Sequence, residues 1–297
     1  MFSHLTRSFR TRTDRLPHSV LNHVFFTTSH HALKMPDLEE ITYSRDETVA
    51  ALRDYYQFLT NLYLDEDKII FPPPEGWSDI TSRSYTLRKS KEVIALLKHL
   101  PYIESTSNDS VDAEGAPDCS FADWRYIFAG AAGREMITVA TEDGSISEHV
   151  PKHIIGLTCG GMYNPRFLLD VKQGTIQWYK CPGALADDPI LEPVQDDPYD
   201  YCSEDEEAEW REDGGTWAIP DFFEELKERF RRLEFVPLSE RRVADVWKTG
   251  GEDYADMLVG VKEIYKRHGW PGEAYVKGDC LREVKEFIEG KYPQWMP

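Results

Sequence analysis

Two hydrophobic periods alternate along this chain. From Ser44 to about Leu64 apolar side chains recur every three to four residues: Val49, Leu52, Tyr56, Leu59 and Tyr63 share one stripe, widened by Tyr55, Phe58 and Leu62. That is the spacing of an amphipathic helix. Ser44-Arg-Asp-Glu47 supplies its start, because the serine hydroxyl can accept the amide three residues on while Glu47 reaches back. A shorter helix is expected for KEVIALLKHL after Ser90, ended by Pro101. Between the two, Phe71-Pro-Pro-Pro74 and Glu-Gly-Trp77 form a stiff elbow, since each ring fixes φ and restricts the residue before it. Trp77 is expected in the core.

Further on the period falls to two. Residues 150–182 read as strand (Ile154–Thr158), turn (Cys159-Gly-Gly161) and hairpin, with Arg166–Val171 and Thr175–Lys180 joined through Lys-Gln-Gly. Phe167, Leu169 and Val171 alternate on one arm and Ile176 and Trp178 on the other, so each arm has one burial face. Glu135–Ala140 is β-branched and reads as a strand before a turn at Asp143-Gly144. Phe121–Ala129 carries Trp124, Tyr126 and Phe128 at alternate positions, which fits a strand and leaves a short helix open. Residues 104–120 are small and polar and read as a loop. The helical period returns in IPDFFEELKERFRRLEF (219–235), where Pro220 suits a first turn and Phe222, Phe223, Leu226, Phe230 and Leu233 mark one face. Helices near Glu252–Arg267 and Asp279–Glu289 then make a C-terminal helical hairpin with His268-Gly-Trp-Pro271 at its corner. The expected class is α+β: a mixed or antiparallel sheet flanked by helices, in a single domain over 35–297.

Composition narrows the function more than the fold. A chain of 297 residues with 41% hydrophobic content, 15 Tyr, 14 Phe and 8 Trp can build a real core. Its formal charge of −19 argues against nucleic acid as a partner, repels anionic membranes and favours a protein with a basic surface. No run approaches the roughly 18–20 apolar residues of a membrane span. Five cysteines, odd in number and without CxxC spacing, argue against a disulfide framework and a structural zinc site. A reducing compartment, cytoplasmic or nuclear, fits best. Residues 1–34 hold Arg7, Arg10, Arg12, Arg15 and Lys34 against Asp14 alone, and Phe2, Leu5, Phe9 and Leu16 could share a helical face. Read as a presequence, this stretch would direct the chain to mitochondria. Read otherwise, it is a disordered basic extension ahead of Met35.

Chemistry-bearing motifs are sparse. Gly130-Ala-Ala-Gly133 lacks the Lys-Ser/Thr ending of a phosphate loop. His149 and His153 have a metal-ligand spacing if helical, but Pro151 between them breaks that geometry. No catalytic residue, metal or cofactor is therefore assigned. A small-molecule enzyme assembled from dispersed groups (His149, His153, His268, Glu135, Asp170) stays open as an alternative, as does a structural or assembly subunit. The sharpest feature is residues 187–213, with thirteen acids against one base, Arg211. Pro189, Pro193, Pro198 and self-repulsion predict an extended, disordered insert. Tyr199, Tyr201 and Trp210 would give such an arm apolar grips, and Glu204, Asp205, Glu206 and Glu207 would meet the partner's basic groups. Oligomeric state is left open.

The order of strand, GG turn, FLLDVKQGTIQWYK, acidic insert and WAIPDFFEELKERFRRL resembles the C-terminal half of the SUKH superfamily, which includes fungal cell-wall-synthesis regulators and toxin-immunity proteins. Asp170 and Gly174 match its hairpin turn, and Phe222, Phe223, Leu226 and Leu233 its following helix. The likeness spans about 120–236 and implies a sheet with flanking helices, used for protein recognition without catalytic residues. Over 35–297 the chain is also similar to a set of filamentous-fungal proteins, through EITYSRDETVAALRDYYQFL, PPPEGW, EVIALLKHLPYI and IYKRHGWPGEAYVKGDCLREVKEFIEGKYP. That second likeness implies no activity.

Overall fold

Ser44 starts the first helix as its sequence suggests. α1 spans Arg45–Leu62, and the Ser44 hydroxyl accepts the Glu47 amide at 3.3 Å. The computed structural model describes residues 36–83, 87–105, 113–248 and 250–295. Both readings of 1–34 fall outside them. β1 (Ile69–Ile70), α2 (Ser78–Arg83), α3 (Lys91–Leu97) and β2 (Tyr102–Ile103) follow, with β1 and β2 paired antiparallel. Trp77 ties the proline elbow down by donating its indole N–H to the Leu100 carbonyl at 2.9 Å.

Three expectations need correction here. Within the supposed loop 104–120, β3 (Glu114–Ala116) and β4 (Cys119–Ser120) form a small antiparallel pair, tied to α1 by the Tyr55 and Tyr63 hydroxyls, which donate to the Gly115 and Glu114 carbonyls. Residues 121–129 take the helical alternative: α4 (Trp124–Ala129) begins on Asp123, whose carboxylate accepts the Arg125 and Tyr126 amides. The β-branched run at 135–140 lies in a helix, α5 (Arg134–Glu142). Its threonines are accommodated because Thr138 and Thr141 donate back to the Glu135 and Ile137 carbonyls.

The central sheet has four antiparallel strands in chain order: β5 (Ile154–Gly156), β6 (Arg166–Asp170), β7 (Thr175–Tyr179) and β8 (Gly214–Ala218). The β6–β7 turn closes at Gly174 with φ +77°, and a side chain there would meet the Thr42 backbone at 2.9 Å. Between β7 and β8 the chain forms α6 (Gly183–Ala186), α7 (Pro198–Tyr201) and α8 (Asp205–Glu212), so the acidic segment 187–213 is not a disordered insert. After β8 come α9 (Ile219–Arg231), β9 (Phe235–Pro237) paired with β10 (Val243–Asp245), and the helical hairpin α10 (Glu252–Arg267) and α11 (Lys277–Lys291). With eleven α-helices and four antiparallel sheets among the described residues, the class is α+β. No helix among the described residues is long and apolar enough to cross a membrane.

Both faces of the sheet are covered. Pairing of Leu169 with Ile176 and of Phe167 with Trp178 puts these four on one face. There Phe222 of α9 meets Phe167 edge-on at 4.8 Å, and Phe223 reaches Tyr55 of α1 at 5.4 Å, so α9 is sandwiched between sheet and α1. Trp270 joins this layer from the α10–α11 corner, donating to the Phe230 carbonyl at 3.0 Å. The opposite face carries Leu168 and the polar Asp170, Thr175 and Gln177, all buried. One burial face per arm was therefore too few. Leu168 packs with Ile146, Ile154, Tyr179 and Trp210 in a second, smaller core supplied from α8.

A buried acid links β3 to β10. Glu114 accepts the Val243 amide at 2.7 Å and pairs with Arg242 at 3.0 Å. Burial pushes its carboxyl from 4.5 up to about 7, against the pull of the Val243 amide and of Arg242. The folded chain thus holds this proton more tightly than the unfolded chain. Glu114's contribution is complete below pH 4.5 and is lost as pH rises through about 7, amounting to about 3 kcal/mol. Glu114→Gln should flatten the stability-versus-pH curve over that interval. Guanidinium denaturation at pH 5 and pH 7.5 checks it; equal slopes in the two proteins would refute the assignment.

Candidate acidic docking face

The acidic segment is held on the sheet by two buried arginines. The first is Arg229 of α9. It donates to the Asp188 carbonyl at 2.5 Å, to Glu225 Oε1 at 2.7 Å and to Glu234 Oε2 at 2.8 Å. Glu225 in turn accepts the Ile190 and Leu191 amides at 2.9 and 2.7 Å. The Trp217 indole donates to the Leu191 carbonyl, and the Val194 amide to Thr216 of β8 at 2.7 Å. Asp197 then caps α7 through the Tyr199 amide, and the Tyr201 hydroxyl donates to Asp196 at 2.6 Å.

The second is Arg211, the one base of the segment, with its side chain 2% exposed. It reaches Asp170 of β6 at 2.8 Å, Glu207 one turn earlier at 2.9 Å, and Gln173 at 3.2 Å. Its own carbonyl accepts from Gln177 of β7 at 2.6 Å, and Gln177 accepts from Thr216 of β8 at 2.8 Å. One residue of α8 thereby reaches Asp170 of β6 and Gln177 of β7 directly, and Thr216 of β8 through Gln177. Burial works against the guanidinium charge, yet Asp170, Tyr201 and Glu207 outweigh it and leave Arg211 more basic than usual. His153 shares Asp170, at 3.6 Å, and burial lowers its basicity.

This arrangement sorts the seven residues expected to bind. Tyr199 is 50% exposed, and Glu204, Asp205 and Glu206 point to solvent. Tyr201 is half-buried above the Arg211 guanidinium, 5.5 Å from ring centre to cation. Trp210 is 3% exposed inside the second core, its indole donating to the His149 carbonyl at 3.4 Å, so it is an anchor and not a grip. Glu207 is likewise spent on Arg211. Arg211, Asp170, Gln173 and Gln177 were not expected to act here. The signal for them was a single base, four residues after a glutamate and next to a tryptophan, in an otherwise acidic run.

What remains outward is dense in charge. Ten of the thirteen carboxylates are exposed, including Asp197, Asp200, Asp205, Glu209 and Glu212. Beside the Gly214–Trp217 stretch of β8 lies an open groove of about 610 Å³, lined by Pro193, Asp196, Asp197, Pro198 and Glu212. Of the dispersed candidates for acid–base chemistry, the structure brings together only His153 and Asp170, and Asp170 is already paired with Arg211. His153 faces Asp170, His268 pairs with Glu283 at 2.7 Å, Glu135 is exposed on α5, and His149 stands beside the first turn of α8. Set against family models, curated proteins and solved structures, the chain finds no match in any of the three.

Proposed function

We propose that this protein is a non-enzymatic interaction module whose acidic face, 187–213, docks a basic segment of a partner protein. One observation carries the reading: the segment's only base is buried against the sheet while ten carboxylates stay in solvent on a fixed backbone. A disordered acidic arm would lose conformational entropy on binding; this face is ordered beforehand, which lowers that cost. The charge steers a cationic partner and sets orientation, and the groove beside β8 and the exposed Tyr199 supply contact area. The likeness to the SUKH superfamily, whose members recognise proteins, supports the same reading.

The test is affinity capture from native-cell extract with the full chain and with a variant carrying Asp197→Asn, Asp200→Asn, Asp205→Asn, Glu209→Gln and Glu212→Gln. A basic protein should be retained by the unaltered chain at 50 mM salt, released at 300 mM, and lost by the variant at least tenfold. A partner retained equally by both, or insensitive to salt, would refute docking through this face.

A further inference from the structure

Separately from that reading, the geometry points to a divalent transition-metal site formed by His149, Glu204 and Glu206. One ring nitrogen and one oxygen from each carboxylate lie within 4.8 Å of one another. A zinc ion with bonds of about 2.1 Å holds neighbouring tetrahedral ligands roughly 3.4 Å apart. All three side chains are exposed, so the remaining gap is one for side-chain rotation to close. None of the three side chains has a hydrogen-bond or ion-pair partner among the described residues, so binding breaks no existing contact.

The two elements that carry the ligands are already held together. His149 sits in the turn after α5, its amide donating to the Ile146 carbonyl at 2.8 Å. Its own carbonyl accepts the Trp210 indole, and Trp210 and Ile146 share the second core. Glu204 precedes α8 and makes no capping bond with its side chain, while Glu206 lies in the first turn. The distance between turn and helix is therefore set by apolar packing beneath the ligands. The amide dipoles of α8 oppose a cation here, but two ligating carboxylates with Asp205 beside them outweigh that effect.

A concavity of about 310 Å³ adjoins the cluster, lined by His149 and Glu206 together with Glu209, Asp213, Tyr179 and Ser145. Three protein donors leave a coordination position open toward it, for water or for a donor from a partner. An imidazole with two carboxylates suits zinc, cobalt or nickel, whereas magnesium and calcium prefer oxygen alone. Sequence spacing had drawn attention to His149 with His153. The fold instead turns His153 to Asp170 and gives His149 two glutamates that are 55 and 57 positions later.

The experiment is equilibrium dialysis of the chelator-stripped full chain against zinc, with anomalous diffraction at the zinc edge to locate the ion. Five further histidines lie in residues 1–34, so the reading is a difference in stoichiometry. His149→Ala and Glu206→Gln should each bind one equivalent fewer than the unaltered chain, or bind that equivalent at least tenfold more weakly. His153→Ala should bind the full number, and 1 mM calcium should not displace the ion. Equal zinc uptake by His149→Ala, or displacement by calcium, would overturn the site. Loss of zinc in Glu206→Gln alone would reduce it to a carboxylate cluster and overturn it as well. Neither variant alters the five acids neutralised in the capture test, so the two outcomes are independent.

Discussion

Arg211→Met is expected to destabilise the chain by about 3–5 kcal/mol, the usual cost of removing one partner from a buried ion pair. The loss is large because Asp170 has no other permanently charged partner among the described residues. Its side chain is 2% exposed and would keep a charge facing only His153 at 3.6 Å, together with the Lys172 and Gln173 amides. Glu207 and Gln173 would lose their contact to the same group. The effect should also be local in its first stage. Amide hydrogen exchange should lose protection across 198–213, where α7 and α8 depend on this anchor, while α1 and α9 keep theirs. Asp170→Asn added to Arg211→Met should recover part of the loss, because it removes the stranded charge. A single variant that shifts stability by less than 1 kcal/mol, or exchange that rises uniformly, would show that Arg211 does not hold the segment.

The second large effect changes sign with the number of substitutions. Lys89 and Glu142 form a buried pair at 2.7 Å, with side chains 5% and 1% exposed. Burial lowers the lysine's basicity and raises the carboxyl's pKa, and the attraction between the two offsets that desolvation only in part. Neither Glu142 oxygen accepts a well-directed hydrogen bond, and the lysine's other contact is the Pro151 carbonyl at 3.5 Å. Such a pair has little surplus to offset desolvation. Lys89→Met alone should cost about 3–5 kcal/mol by leaving the carboxylate unpaired. Lys89→Met with Glu142→Leu should be neutral or stabilising by about 1–4 kcal/mol. Guanidinium midpoints of the three proteins decide it, and a double variant as unstable as the single would show the pair to be favourable on balance.

The elements that were legible in the sequence share one property: a period and its end signals agree. α1 has its stripe and its serine cap, and the β6–β7 hairpin has alternation around a turn that needs Gly174. α5 was misread because β-branched residues favour strands on average, whereas here Ile137, Thr138, Thr141 and Glu142 bury one helical face. β8 was not legible, since Gly-Gly-Thr-Trp-Ala carries no alternation and becomes a strand only by pairing with β7. The acidic segment was misjudged by its average. Thirteen carboxylates describe its surface, but its position is set by Trp210, Ala208 and Arg211, three residues too few to alter a compositional reading. The candidate face was legible in its charge and not in its shape.

The groove beside β8 has a further consequence for the isolated chain. A strand at the rim of a sheet offers unsatisfied amides and carbonyls that invite a second copy to add on and propagate. Along β8 that opening is narrow, because the Val194 amide already occupies the Thr216 carbonyl. Asp196, Asp197 and Glu212 flank what is left. A second molecule arriving edge-first would bring the same acids against these, so like-charge repulsion protects the rim from self-assembly at neutral pH and weakens as the medium is acidified.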